Sequence, residues 1–213
     1  MKIFFFYGTL LIGDVMKGKC GKIEIICGPM FSGKTEELIR RIKRLQYAKI
    51  EYVIFKPKID TTCAFEDVST HDGNRLEAIS VSSASDILTY LREHKDVEVV
   101  AIDAIHFFDS FIIKLLKALI TKGYKIIATG LDKDFRGEPF GPMAELLIMA
   151  DEVTKLSAVC TVCGKDAYYT QRVVNGEPAS FNDDVIHIGT EEKYEARCLE
   201  HHELKDREEL NIF

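Results

Sequence analysis

The chain has 213 residues, 46% of them hydrophobic and 29% charged, with a formal net charge of −6. That length predicts one core domain plus a small appendage, and the composition is that of an ordinary globule. The negative charge argues against tight duplex binding, which needs basic surface to displace counterions, and no apolar run approaches the roughly 20 residues that span a bilayer.

In chain order, Ile3 to Ile12 is apolar behind a single Lys2 and looks at first like a signal h-region. It lacks a small-residue cleavage site and runs directly into a nucleotide-type loop, so an extra strand or unstructured extension is the better reading, and a cytoplasmic location is expected. Ile23, Ile25 and Ile26 then read as a strand, followed by Gly28-Pro29-Met30-Phe31-Ser32-Gly33-Lys34-Thr35. This is a complete G-x-x-x-x-G-K-[ST] loop in its proper setting, because Glu36-Glu37-Leu38-Ile39 opens a helix. Glycines let backbone N–H groups turn toward phosphate oxygens, and a helix N-terminus adds a favourable field. Lys34 is placed to reach the β- and γ-phosphates of ATP, and the Thr35 hydroxyl to bind Mg²⁺.

Leu38, Ile42 and Leu45 line one face of that helix, while Arg40, Arg41, Lys43 and Arg44 form a solvated face opposite. Glu51 to Phe55 and Glu77 to Val81 read as strands, Ser85 to Glu93 as a helix and Val97 to Ile102 as a buried strand. Ser110 to Lys122 is a helix stopped by Gly123, and Lys125 to Thr129 is another strand. Alternation of this kind predicts an α/β fold, a mostly parallel sheet covered by helices on both faces. The strand ending at Ile102 delivers Asp103 to the carboxyl edge, where ligands of such sheets bind, and an aspartate there is the expected second Mg²⁺ contact, through water.

Further on, Cys160-x-x-Cys163 and Cys198-x-x-His201 supply two close ligand pairs. Thiolates and imidazole at this spacing favour tetrahedral Zn²⁺, and four protein ligands make the site structural. His202 rivals His201, and only the symmetry of the spacing selects the latter. Redox pairing of Cys160 with Cys163 is the alternative, disfavoured in a cytosolic chain with a matching downstream pair. Cys20, Cys27 and Cys63 read as free thiols, and His71, His94, His106 and His187 have no ligand spacing.

The phosphate loop, Lys56-Pro57-Lys58-Ile59-Asp60-Thr61, Ser69-Thr70-His71-Asp72, and the run from Gly130-Leu131-Asp132 through Phe135-Arg136-Gly137 to Pro139-Phe140-Gly141 closely resemble the zinc-containing thymidine kinases of bacteria and animals. So do Lys155-Leu156-Ser157-Ala158-Val159-Cys160 and Tyr194-Glu195-Ala196-Arg197-Cys198. The resemblance covers about Gly21 to His202. It implies an extension over 1–20, a phosphate-loop ATP-binding domain over 21–156, a zinc and lasso domain over 157–202 and a polar tail over 203–213. It also implies transfer of the ATP γ-phosphoryl group to the 5′-hydroxyl of thymidine or deoxyuridine, with dTTP as feedback inhibitor and a homotetrameric assembly. By the same resemblance Met30, Phe107, Leu131, Phe135, Phe140 and Tyr194 surround the base, with lasso backbone from Thr170 and from Ile186, His187, Ile188 and Gly189 on its polar edge. Asp60 and His106 join the ATP side, and Arg136 neutralises charge in the transition state.

Two positions depart from the family. Its glutamate base follows the strand-end aspartate, whereas here the pair is Asp103-Ala104. A methyl group accepts no proton, and losing a general base typically costs a factor of about 10²–10⁴ in rate. His106 falls on the same face as Ala104 if the segment is extended, but it is a poor substitute. Thr62 stands where the family usually has arginine. Three readings follow: a thymidine kinase disarmed at its base, a weak dTTP-binding relative, or a phosphate-loop ATPase whose zinc knuckle grips nucleic acid. The last requires basic, aromatic-interleaved surface, and the knuckle region carries Glu191, Glu192, Glu195, Glu200 and Glu203 instead.

Overall fold

Along Lys22–Cys27 (β1) every residue after Lys22 is buried, the pattern of a strand covered on both faces. Side chains alternate between two cores. Ile23, Ile25 and Cys27 enter one, and Ile26 enters the other. The computed structural model that shows this describes residues 20–58, 67–69, 75–186 and 192–207. Ile3 to Ile12, Asp60, Thr62, Cys63, His71 and His187 to Gly189 therefore lie outside the described residues.

After β1 come α1 (Lys34–Ala48), β2 (Tyr52–Pro57), a short antiparallel pair β3 (Asp67–Ser69) and β4 (Arg75–Glu77), β5 (Ile79–Val81) and α2 (Ala84–Glu93). Then follow β6 (Val99–Ile102), α3 (Phe111–Thr121), β7 (Lys125–Gly130), α4 (Met143–Met149) and β8 (Glu152–Lys155). Six strands form one sheet in the order β5-β2-β6-β7-β1-β8. Every pairing in it is parallel. The α/β expectation holds. Leu38, Ile39, Ile42 and Leu45 of α1 cover one face of the sheet. Apolar residues of α2, α3 and α4 cover the other. Helix α2 starts at a capping box in which Asp86 accepts the Ser83 N–H at 2.9 Å.

Three sequence expectations need correction. Glu77 to Val81 is not one strand, because Ala78 separates β4 from β5, and these belong to different sheets. Val97 and Glu98 precede β6, with the Glu98 N–H bonded to the Glu51 carbonyl at 3.0 Å. The segment after Asp103 is not extended either: Ala104 adopts φ 52°, ψ 42° and leads into a 3-10 turn over Ile105–Phe107, so His106 does not share a face with Ala104 by strand alternation. Helix α4 and edge strand β8 were not legible as separate elements; both are short, and β8 has little apolar content.

Beyond the sheet, β9 (Ala158–Val159) pairs with β10 (Asp166–Ala167), and β11 (Tyr169–Val174) lies between β12 (Glu177–Pro178) and β13 (Glu192–Arg197). A small core of Ala158, Cys160, Ala167, Ala196 and Cys198 joins these strands.

Candidate functional site

The carboxyl ends of β1, β6 and β7 converge on one edge of the sheet. At the end of β1 the chain turns sharply, with Gly28 at φ 149° and a hypothetical Cβ there only 2.5 Å from the Leu156 carbonyl oxygen. Phe31 and Gly33 also take positive φ, 64° and 80°, before α1 begins at Lys34. This is the backbone shape that turns N–H groups inward around an anion. Lys34 Nζ donates to the Pro29 carbonyl at 2.6 Å. Burial pushes its pKa down to about 8 against the pull of Asp103 and Asp132. The Met30 N–H donates to Thr170 Oγ1 at 3.0 Å, tying the loop to β11.

Two strands away from β1, Asp103 follows β6, and its N–H reaches back to the Phe55 carbonyl at 2.8 Å. Its Oδ1 accepts the Ala104 N–H at 3.0 Å and the Thr129 hydroxyl of β7. Burial raises the Asp103 carboxyl pKa, while these two bonds and the charges of Lys34 and Lys56 act against the rise. Thr129 was not singled out in the sequence, because a threonine inside a strand gives no signal until β7 is known to lie beside β6.

His106 is buried among Phe107, Phe140 and the Gly130–Gly141 segment, its ring 4.1 Å from Phe107 and 4.6 Å from Phe140. Its Nδ1 accepts the Leu131 N–H at 3.1 Å. That bond assigns the proton to Nε2, which has no partner among the described residues. Burial, then the charge of Lys34, push its pKa down to about 3. The imidazole is thus neutral, and its buried Nε2 is a donor that accepts no proton.

The Gly130–Gly141 segment carries an Asp132–Lys155 pair at 2.8 Å and Asp134, whose Oδ2 takes the Arg136 guanidinium at 2.7 Å. Arg136 is therefore engaged by a neighbouring carboxylate, a contact that sequence reading did not foresee. Phe107 and Phe140 meet edge to face at 5.5 Å. Phe135 is buried, Met30 and Leu131 are half-buried, Tyr194 stands opposite Arg172 on β13, and Ile186 is exposed.

The four proposed metal ligands come together, with all ligand atoms within 4.8 Å of one another. Cys163 and Cys198 sulfurs lie 3.7 Å apart, and His201 Nδ1 is 3.1 Å from Cys198 Sγ and 3.9 Å from Cys160 Sγ. A tetrahedral ion with Zn–S bonds of about 2.3 Å sets its sulfurs about 3.8 Å apart, so the residues fit zinc. Burial alone would raise the Cys160 thiol pKa, but N–H groups of Cys198, Cys163 and Val162 hold it at about 6, which favours the ligating thiolate. His202 is committed elsewhere, its Nε2 2.8 Å from the Phe135 carbonyl and its ring stacked 4.8 Å from Tyr169. The choice of His201 over His202 thus has a geometric basis. Cys20 and Cys27, like the cluster cysteines, are in no disulfide.

A parallel sheet with a phosphate loop, an acidic residue at the same sheet edge two strands away and a Cys3His cluster defines a nucleotide-binding α/β protein with a metal-type knuckle. The chain belongs to the thymidine kinase family: the family model described as thymidine kinase matches residues 21–202. It is similar, at 18% identity and a TM-score of 0.41, to the genome packaging NTPase B204 from Sulfolobus turreted icosahedral virus 2 in complex with sulfate, over 68% of this chain and 76% of that one. At that score no argument rests on the likeness. No helix among the described residues is long and apolar enough to cross a membrane.

Proposed function

We propose that this chain binds MgATP at the Gly28–Thr35 loop and thymidine or deoxyuridine beside it, and transfers the γ-phosphoryl group to the 5′-hydroxyl at a rate limited by Ala104. The observation that carries this reading is the placing of buried Lys34 and of Asp103 at one sheet edge, each within reach of the other's charge, in a chain of the thymidine kinase family. Phosphoryl transfer asks little covalent chemistry of the protein and much positioning and charge neutralisation. In this scheme the loop N–H groups and Lys34 cradle the phosphates. Mg²⁺, held by Thr35 and through water by Asp103, would supply further neutralisation. His106 contributes a hydrogen-bond donor near Lys34.

The nucleoside sits among Met30, Phe107, Leu131, Phe135, Phe140 and Tyr194, with the segment after Thr170 closing on its polar edge. A neutral pyrimidine enclosed by aromatics and backbone amides suits such a pocket. Arg136 acts from the pocket wall, where Asp134 holds it. Cys160, Cys163, Cys198 and His201 hold a structural Zn²⁺. A homotetramer, dTTP feedback and a cytoplasmic site belong to the same reading.

With alanine at 104 no side chain is present there to take the 5′-hydroxyl proton. Binding and chemistry are separable, so nucleoside and nucleotide affinity survive while turnover falls. ATP-dependent phosphorylation of thymidine, measured on this chain and on Ala104→Glu together, tests the reading. Faster turnover by the glutamate form supports it. If both forms are inactive while dTTP binds, the enzyme reading fails and the chain is a nucleotide-binding relative, the alternative that Ala104 favours.

A further inference from the structure

Phe135 joins three segments that are far apart in the sequence. Its carbonyl accepts the His202 ring N–H, while the Arg172 and Arg136 guanidinium carbons lie 5.1 and 5.9 Å from its ring centroid. Arg136 lies as well 5.6 Å from the Phe181 ring, and Arg172 Nη1 donates to the Asp184 carbonyl at 2.6 Å. Arg172 is 3% exposed, so its charge sits in a desolvated place where its contacts are strong. The turn itself is closed locally, with the Ala179 N–H on the Arg172 carbonyl at 3.1 Å and the Ser180 N–H on Asp183 Oδ2 at 3.0 Å.

We infer that Arg172 and Arg136 are positioning residues that clamp the Phe181–Asp184 turn to Phe135 and so hold that ring in place against the nucleoside. This rests on the proposed reading, in which Phe135 lines the base. The device needs arginine. A planar guanidinium stacks on a ring and donates in its own plane at the same time, and a lysine ammonium does only one of these. Arg172 touches none of the reacting atoms in this scheme, so its loss moves nucleoside affinity and leaves the phosphate loop alone.

The test compares Arg172→Lys and the milder Phe181→Leu with the unaltered full chain. Thymidine affinity, affinity for a non-hydrolysable ATP analogue and zinc content are measured on each, with amide hydrogen exchange of residues 179–186. Losing a charge-assisted hydrogen bond and a stacked cation predicts a fall of about tenfold or more in thymidine affinity for Arg172→Lys, and a smaller one for Phe181→Leu. The ATP analogue and zinc should be held as before, and exchange should quicken in the turn but not in β1. Unchanged thymidine affinity, or a parallel loss of thymidine, nucleotide and zinc, overturns the clamp. If the unaltered chain binds no thymidine, the nucleoside reading falls, and exchange still decides the contact: equal protection of the turn in Arg172→Lys overturns the clamp by itself.

Discussion

Ala104 combines two separable effects. Its φ of 52° and ψ of 42° are left-handed, a region that costs a residue with a Cβ roughly 1 kcal/mol. The turn survives because its N–H is held by Asp103 and the 3-10 turn follows at once. Ala104→Gly should therefore raise stability by about 1 kcal/mol in urea unfolding and add no activity. Ala104→Glu should raise thymidine phosphorylation by a factor of about 10²–10⁴ at nearly unchanged stability, since it carries the same backbone cost. Equal kcat for the two variants would remove position 104 from the chemistry. His106 makes a second prediction. Its folded pKa of about 3 lies below the ordinary value of 6.5. Between those values the unfolded chain binds more protons than the folded one. The His106 contribution to stability therefore falls as the pH is lowered through that window, by up to about 1.4 kcal/mol per unit. Chemical unfolding of His106→Gln across pH 4–7 should show a shallower dependence than the unaltered chain, and matching slopes would show that the ring is not desolvated.

At the scale of elements, the site edge is built from close backbone approaches. Gly141 has φ 50°, and a Cβ there would stand 2.2 Å from the His106 carbonyl oxygen, so the segment before α4 packs directly on the 3-10 turn. Gly141→Ala should destabilise by about 3 kcal/mol or more, because both the clash and the positive φ must be relieved. A loss below about 1 kcal/mol in thermal unfolding would mean that the two segments separate freely. Among the buried residues of β1, Glu24 is the one that is charged. It is buried against Arg41 of α1 at 2.8 Å and Lys125 of β7 at 2.8 Å. Arg41 continues to Glu37 at 2.8 Å and Thr154 at 2.8 Å, so the Glu24–Arg41 pair registers α1 on three adjacent strands.

For the molecule as a whole, the knuckle and the sheet are linked through Phe135 and β11. Past His201, His202 holds Phe135, and the Glu203 backbone N–H and carbonyl both bond the buried Gln171 side chain of β11. Strand β11 reaches the phosphate loop through Thr170. Zinc removal should therefore cost more than the knuckle's own stability. Cys163→Ser, or treatment with a chelator, is expected to lower the melting temperature and to weaken thymidine binding more than ATP-analogue binding. Metal analysis should give about one zinc per chain beforehand, and equal loss of both ligands would reduce the link to general unfolding.

The phosphate loop, the Asp103 edge and the Cys3His cluster were legible in the chain because each rests on local spacing: a glycine pattern before a helix, an apolar strand ending in an acid, cysteines with two residues between them. The α/β class followed from apolar periodicity for the same reason. Residues outside such patterns were not legible. Thr129 bonds Asp103 only because β7 pairs with β6, and Arg172 meets Phe135 only because β11 folds back beside the Gly130–Gly141 segment. His106 shows the limit most clearly. Alternation would set it beside Ala104 only if the segment were extended, whereas a left-handed residue and a 3-10 turn send it into a buried pocket of glycines and aromatics. Motif chemistry is written in neighbouring residues, so the sequence alone determined the family and the residue types gathered at its motifs; which side chains share a dielectric, a proton or a ring depends on contacts between distant segments, and those the tertiary structure decided.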